Sequence, residues 1–135
     1  RGINISINKK DHKYKNYSSA IEFVITNEEG KKIYVVGTIG MNNEERIVSI
    51  KNHDVDMAIS DNMIYLGNED VPGVIGAVGA TLGKENINIA TMNVGRRENS
   101  AIMLLTVDSE VGRRALKALR ELSQIKWAHY LDLTI

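Results

Sequence analysis

The chain has 135 residues, with 17 Lys+Arg against 17 Asp+Glu, no Cys, one Pro and one Trp. That length suits one ordinary domain or two small ones, and 43% hydrophobic with 25% charged residues exclude wholesale disorder. Zero Cys excludes a disulfide scaffold, a CxxC redox centre, a Cys-based zinc site and a cysteine nucleophile, and zero net charge argues against nucleic acid or an anionic membrane as main partner.

Ile3, Ile5 and Ile7 alternate with Asn4, Ser6 and Asn8, the period of a half-buried strand. Lys9 to Asn16 is polar and reads as a loop. Ile21, Phe23 and Ile25 alternate again, Asn27-Glu28-Glu29-Gly30 signals a turn, and Ile33 to Ile39 completes a predicted hairpin. After the polar stretch Met41 to Glu45, Arg46 to Ile50 predicts another short strand, and no amphipathic helix is expected before residue 70. A sheet of three or four strands with nothing to cover one face is an incomplete domain. Residues 1–60 are therefore expected to be part of something larger, and a chain that starts at Arg1 rather than Met reads as a piece of a longer one.

The character changes at the turn cluster Ser60-Asp61-Asn62. Met63 to Leu66 reads as a strand, and a loop through Pro72-Gly73 leads into a helix over Val74 to Glu85 whose apolar face is Val74, Ile75, Val78 and Leu82. Gly76, Gly79, Ala80 and Gly83 form a second, small-residue stripe; each Gly costs about 1 kcal/mol relative to Ala in a helix, so close approach of another backbone is expected. Asn86 reads as the stop signal. Strands over Ile87 to Val94 and Ala101 to Val107 flank a turn, Gly95 to Ser100, with Arg96-Arg97 at its tip. Asp108-Ser109 is expected to cap a helix burying Val111, Ala115, Leu119 and Leu122. Trp127, His129, Leu131, Leu133 and Ile135 then alternate along a last strand. The order βαββαβ over residues 61–135 is the split motif of ferredoxin-like α+β domains, so the second half is expected to be complete.

Catalytic signatures fail on inspection. Gly73, Gly76 and Gly79 fall on a helix rather than before one, and neither GxGxxG nor GxxxxGK[ST] occurs. Gly37-Thr38-Ile39-Gly40 matches a GxxG clamp by chance as easily as by purpose. His12, His53 and His129 lack metal-ligand spacing, and His129 reads as a packed core or interface residue. Asp54/Asp56 and Glu44/Glu45 read as solvated surface, and no Ser lies in a GxSxG elbow. Arg96-Arg97 is either a solvated turn or an anion or partner contact. Arg46, Lys51 and His53 are a candidate anion site if they gather on one edge.

The loop Asn68-Glu69-Asp70-Val71-Pro72-Gly73 delivers the chain to a helix N-terminus, where free N–H groups and the dipole favour an anion. Pro72 is expected to pre-set the first turn. Asp70 and Asn68 are able to hold an ammonium beside that anion site, which together suits a zwitterion. The alternative is that Asp70 simply caps the helix.

Asn68 to Gly76, with Leu82-Gly83-Lys84-Glu85-Asn86-Ile87-Asn88-Ile89-Ala90, resembles an ACT domain, a ferredoxin-like module that binds amino acids and regulates metabolic enzymes. Met92-Asn93-Val94-Gly95-Arg96-Arg97 and Leu104-Leu105-Thr106-Val107-Asp108 resemble the ACT domain of the D-3-phosphoglycerate dehydrogenase family, NAD-dependent enzymes of the phosphorylated serine pathway. In the first half, Arg1-Gly2-Ile3, Val36 to Gly40, Arg46 to Ile50 and Val55-Asp56 resemble the end of that family's intervening, or allosteric-substrate-binding, domain.

The resemblance implies a β-rich partial intervening domain over residues 1–60 and an ACT domain over 61–135. It implies cytoplasmic location, homo-oligomers through side-by-side ACT pairing, and L-serine or a related amino acid as effector. The effector contacts carried over are Asn68, Asp70, Gly73 and Val74 from one subunit and Asn88 from its neighbour. The catalytic domains of the parent chain, and the NAD they hold, would lie outside these residues; no cofactor is expected within them. The family usually carries Arg or Lys before the Pro-Gly and His or Tyr at the first loop position, where this chain has Val71 and Asn68. Two further readings stay open: the similar region of an iron–sulfur L-serine dehydratase, and a stand-alone ACT assembly module.

Overall fold

The computed structural model describes residues 4–10, 17, 20–26 and 30–133. The chain divides between Ile59 and Ser60 into two compact units.

The first unit is an antiparallel meander of five strands in sequential order: β1 (Asn4–Lys10), β2 (Ala20–Thr26), β3 (Lys32–Ile39), β4 (Glu45–Ile50) and β5 (His53–Ala58). β1 runs through Lys9 and Lys10, which the sequence assigned to a loop; Ile3, His12 and the turn residues Asn27 to Glu29 lie outside the described residues. β5 was not expected. Its two aspartates mimic a polar loop, yet they alternate with Val55 and Met57, which are buried. The turn into it, Lys51-Asn52, has φ 48° and 63°, the positive values that a two-residue hairpin turn of matching twist demands. Ala20, Val36 and Val48, with Tyr17 against them, form one core cluster of this unit.

The second unit comprises β6 (Asn62–Glu69), α1 (Val74–Lys84), β7 (Ile89–Arg97), β8 (Ser100–Val107), α2 (Arg113–Glu121) and β9 (Ile125–Asp132). Its sheet has the order β7-β8-β6-β9, every pairing antiparallel. Ile64 and Leu66 of β6 and Met103, Leu105 and Val107 of β8 meet Val74, Val78 and Leu82 of α1 and Ala115 and Leu119 of α2 in one core. Two helices packed on an antiparallel βαββαβ sheet are the expected ferredoxin-like α+β arrangement.

The stop signal at Asn86 is borne out in atomic detail. Asn86 adopts φ 56°, its N–H donates to the Gly83 carbonyl at 3.1 Å, and that of Ile87 donates to Leu82 at 3.0 Å. This is a Schellman closure, and Ile87 and Leu82 are buried together.

Other local expectations need correction. Neither helix has a side-chain cap: Gly73 and Gly112 occupy the N-cap positions, so Asp70 caps nothing, Pro72 precedes the first turn, and Asp108-Ser109 sits ahead of α2. A Cβ added at Gly76, Gly79 or Gly83 would meet nothing within 4 Å, so no backbone of the described residues approaches that stripe. On β9, Ile125, Ala128 and Tyr130 face the core, whereas Trp127 and His129 stack at 5.6 Å and His129 is exposed. The cause is a register shift at Gly67/Asn68, where Gly67 pairs with Trp127 but Asn68 with Ile125; one extra residue reverses the parity of the strand.

Candidate functional site

β6 ends at Glu69, whose N–H donates to the Gln124 carbonyl at 2.9 Å, and the next four residues carry the chain to α1. Gly73 turns the corner at φ 90°, in the left-handed region that favours glycine. Its carbonyl accepts the first helical bond, from the Ala77 N–H at 2.9 Å. With no side-chain cap, the first-turn N–H groups of α1 keep their anion-attracting character.

Asp70, released from capping, faces a cation instead. Arg96 Nε lies 3.1 Å from Asp70 Oδ1. Register explains the meeting: Arg96 on β7 pairs with Ala101 on β8, which pairs with Asn68 on β6, so a long side chain need cross only two strand spacings, about 10 Å. Arg96 is therefore a strand residue rather than a hairpin tip. The tip is Glu98-Asn99, with Glu98 at φ 52°, and Gly95 is a buried strand position paired with Ile102. Asp70, Val71, Pro72, Gly73, Ile75 and Arg96 line an open groove of about 380 Å³. It offers one anion, one cation, a helix N-terminus and the exposed apolar side chains Val71 and Ile75, a combination suited to a small dipolar ligand.

The other expected contacts are distributed differently. Gly73 lines the groove, whereas Val74 is not part of its lining and its side chain belongs to the core. Asn68 is 2% exposed: its Nδ2 donates to the Glu69 carbonyl at 2.7 Å, and its Oδ1 is a buried acceptor with no hydrogen-bond partner. Asn88 lies at the opposite end of the sheet, where its carbonyl accepts the Asp108 N–H at 3.1 Å and its Nδ2 donates to Asp108 Oδ2 at 2.6 Å. Because Ser100 faces Glu69 and Thr106 faces Met63 along β8, the Asp70 and Asn88 ends are separated by about 20 Å of strand. One copy does not bring them together.

Arg46, Lys51 and His53 do not gather either. Arg46 pairs with Ala58 at one end of the β4–β5 hairpin, and His53 with Ile50 at the other. The Arg46 guanidinium is engaged by Asp56 at 2.6 Å and Glu44 at 3.4 Å, contacts that raise its pKa. Burial, then the neighbouring Lys31 charge, lowers the pKa of Lys51. The anion site expected of these three residues is not assembled within the chain. Among the described residues, no group of three His, Cys, Asp or Glu is placed to hold a metal ion, and no helix is long and apolar enough to cross a membrane.

Residues 62–124 match the ACT domain family. Over 135 residues, 98% of the chain, the sequence is 34% identical to the D-3-phosphoglycerate dehydrogenase of Bacillus subtilis (strain 168). It is 37% identical over 137 residues to the enzyme of that name from Archaeoglobus fulgidus, and each match covers 25% of the relative. The chain thus spans about a quarter of the length of the curated relatives it matches. A solved structure, the ACT domain from GTP pyrophosphokinase of Chlorobium tepidum, aligns over 52% of this chain and 95% of its own, with TM-score 0.44 and 16% identity. Residues 62–124 belong to the ACT domain family, carried in a chain that is similar along nearly its whole length to the C-terminal region of D-3-phosphoglycerate dehydrogenases.

Proposed function

We propose that this chain is the effector-sensing and self-associating region of a D-3-phosphoglycerate dehydrogenase, binding L-serine at the groove ahead of α1. The observation that carries the reading is the pairing of Asp70 with Arg96 beside an uncapped helix N-terminus: an anion, a cation and first-turn N–H groups around one open groove. The ligand's ammonium goes to Asp70, and its carboxylate to the positive end of the groove.

Asn88 completes the site from a second copy. A carboxylate only accepts hydrogen bonds, so Asn88 meets Asp108 through its Nδ2, and its Oδ1 is the atom suited to accept from an ammonium. The span between Asp70 and Asn88 within one copy favours assembly of the site between two ACT domains. Binding there alters the activity of the parent enzyme to the extent that the ligand prefers one geometry of the pair over the other. Catalytic domains, with the NAD they hold, are assigned to the remaining three quarters of the relatives' length, in a cytoplasmic enzyme. The first unit is assigned to the end of the intervening domain.

Titration calorimetry with L-serine, run beside sedimentation analysis of oligomeric state, tests the proposal. Saturable heat and a self-associated species are expected. Absence of heat from the wild-type chain sinks the serine reading, and a monomer at binding concentrations sinks the shared site.

A further inference from the structure

Within the groove, the charge of Asp70 is already answered before any ligand arrives, because the Arg96 guanidinium stands 3.1 Å away. An amine entering alone has to take Asp70 from Arg96 and leaves a guanidinium without a counter-ion. A zwitterion does not. As its ammonium takes Asp70, its carboxylate takes the released guanidinium, and two charge pairs replace one.

Arg96 is suited to that exchange. Its side chain is 70% exposed and pairs with no other carboxylate among the described residues, so a side-chain rotation suffices. The planar fork matches a carboxylate through two parallel hydrogen bonds, which a lysine ammonium does not reproduce. The remaining side chains of the groove, Val71, Pro72 and Ile75, carry no polar atom. A second carboxylate or a long cationic tail on the ligand would therefore go unanswered, whereas a short side chain costs little.

Building on the effector reading above, we propose that Arg96 is a binding residue that reads the carboxylate of a short-chain α-amino acid, and that its pairing with Asp70 is a resting latch that rejects amines lacking a carboxylate. The cation that the loop lacks at Val71 is supplied from β7.

The test is calorimetry of the full chain with L-serine and with ethanolamine, which keeps the amine and hydroxyl but not the carboxylate, on wild type, Arg96→Gln and Arg96→Lys. Wild type is expected to bind L-serine and to discriminate against ethanolamine. Arg96→Gln is expected to weaken L-serine by about tenfold or more and to bind ethanolamine no worse than wild type, since Asp70 is freed. Arg96→Lys recovers part of the serine affinity. Unchanged melting temperatures are expected, because the side chain is exposed. Wild-type serine affinity in Arg96→Gln, or equal binding of both ligands by wild type, overturns the role of Arg96 and leaves the effector reading standing. A wild-type chain that binds neither ligand overturns both.

Discussion

Trp127 lies across Gly67: the two residues face each other between β9 and β6, and a Cβ at Gly67 would fall 2.6 Å from the indole Nε1. The ring is held there by Tyr65 at 4.6 Å and His129 at 5.6 Å between centroids. Gly67→Ala has to push the indole off its position, at a cost of about 1–3 kcal/mol. Trp127 is the single tryptophan, so a shifted native emission maximum should accompany a lowered urea midpoint. In a Trp127→Ala background the same substitution should cost little. A Gly67→Ala protein with wild-type midpoint and emission would show that the ring is not pinned.

Asn86 holds the left-handed position that closes α1, at φ 56°. Glycine adopts that conformation freely, whereas alanine pays about 1–2 kcal/mol for it. Asn86→Gly should therefore leave the urea midpoint unchanged or raised, and Asn86→Ala should lower it. The reverse order would contradict the Schellman closure.

Stability should depend on alkaline pH through two groups of opposite sign, the buried Tyr65 and the partly buried Lys51. Burial raises the Tyr65 hydroxyl well above its ordinary 10.0. Above pH 10 the unfolded chain loses this proton while the folded chain keeps it, so stability falls as pH rises. Lys51 is lowered from 10.5 by burial, then by Lys31. Between its folded value and 10.5 the unfolded chain holds the extra proton, so stability rises through that window and then levels off. Tyr65→Phe should reduce the decline above pH 10, to which Tyr130, also raised, contributes, and Lys51→Met should flatten the approach to 10.5. Urea titrations across pH 8–11 read both slopes; curves parallel to wild type would contradict the burial of these groups.

A site shared between two copies predicts complementation. Asp70→Ala and Asn88→Ala should each weaken L-serine by about tenfold or more. Mixed in equal amounts and allowed to exchange, they should regenerate about one intact site in four, because half of the pairs are hybrids and each hybrid carries one undamaged site. Calorimetry that finds no recovered high-affinity fraction in the mixture would place both residues in the same copy's site or outside it.

The order of elements in residues 61–135 was legible because each segment carries its own apolar signal, a continuous run in Met63 to Leu66 and a helical repeat in Val74, Val78 and Leu82. The stop at Asn86 and the loop at Asp70 were legible for the same reason: a few adjacent residues carry the whole signal. β5 escaped because Asp54 and Asp56 hid a period of two. The buried face of β9 escaped because the shift beside Gly67 reverses a parity that no window on β9 contains.

The sequence by itself determined a neutral, cysteine-free chain with a βαββαβ second half and a polar loop before a helix, since those properties depend on composition and near neighbours. Which charges meet was decided only by the tertiary structure. Arg96 reaches Asp70 because three strands align Arg96, Ala101 and Asn68 in one row, and Arg46 is parted from Lys51 by the length of a hairpin. Ladder register and bulges couple residues far apart in the chain, so the partner of a charge is a property of the assembled sheet rather than of the segment that carries it.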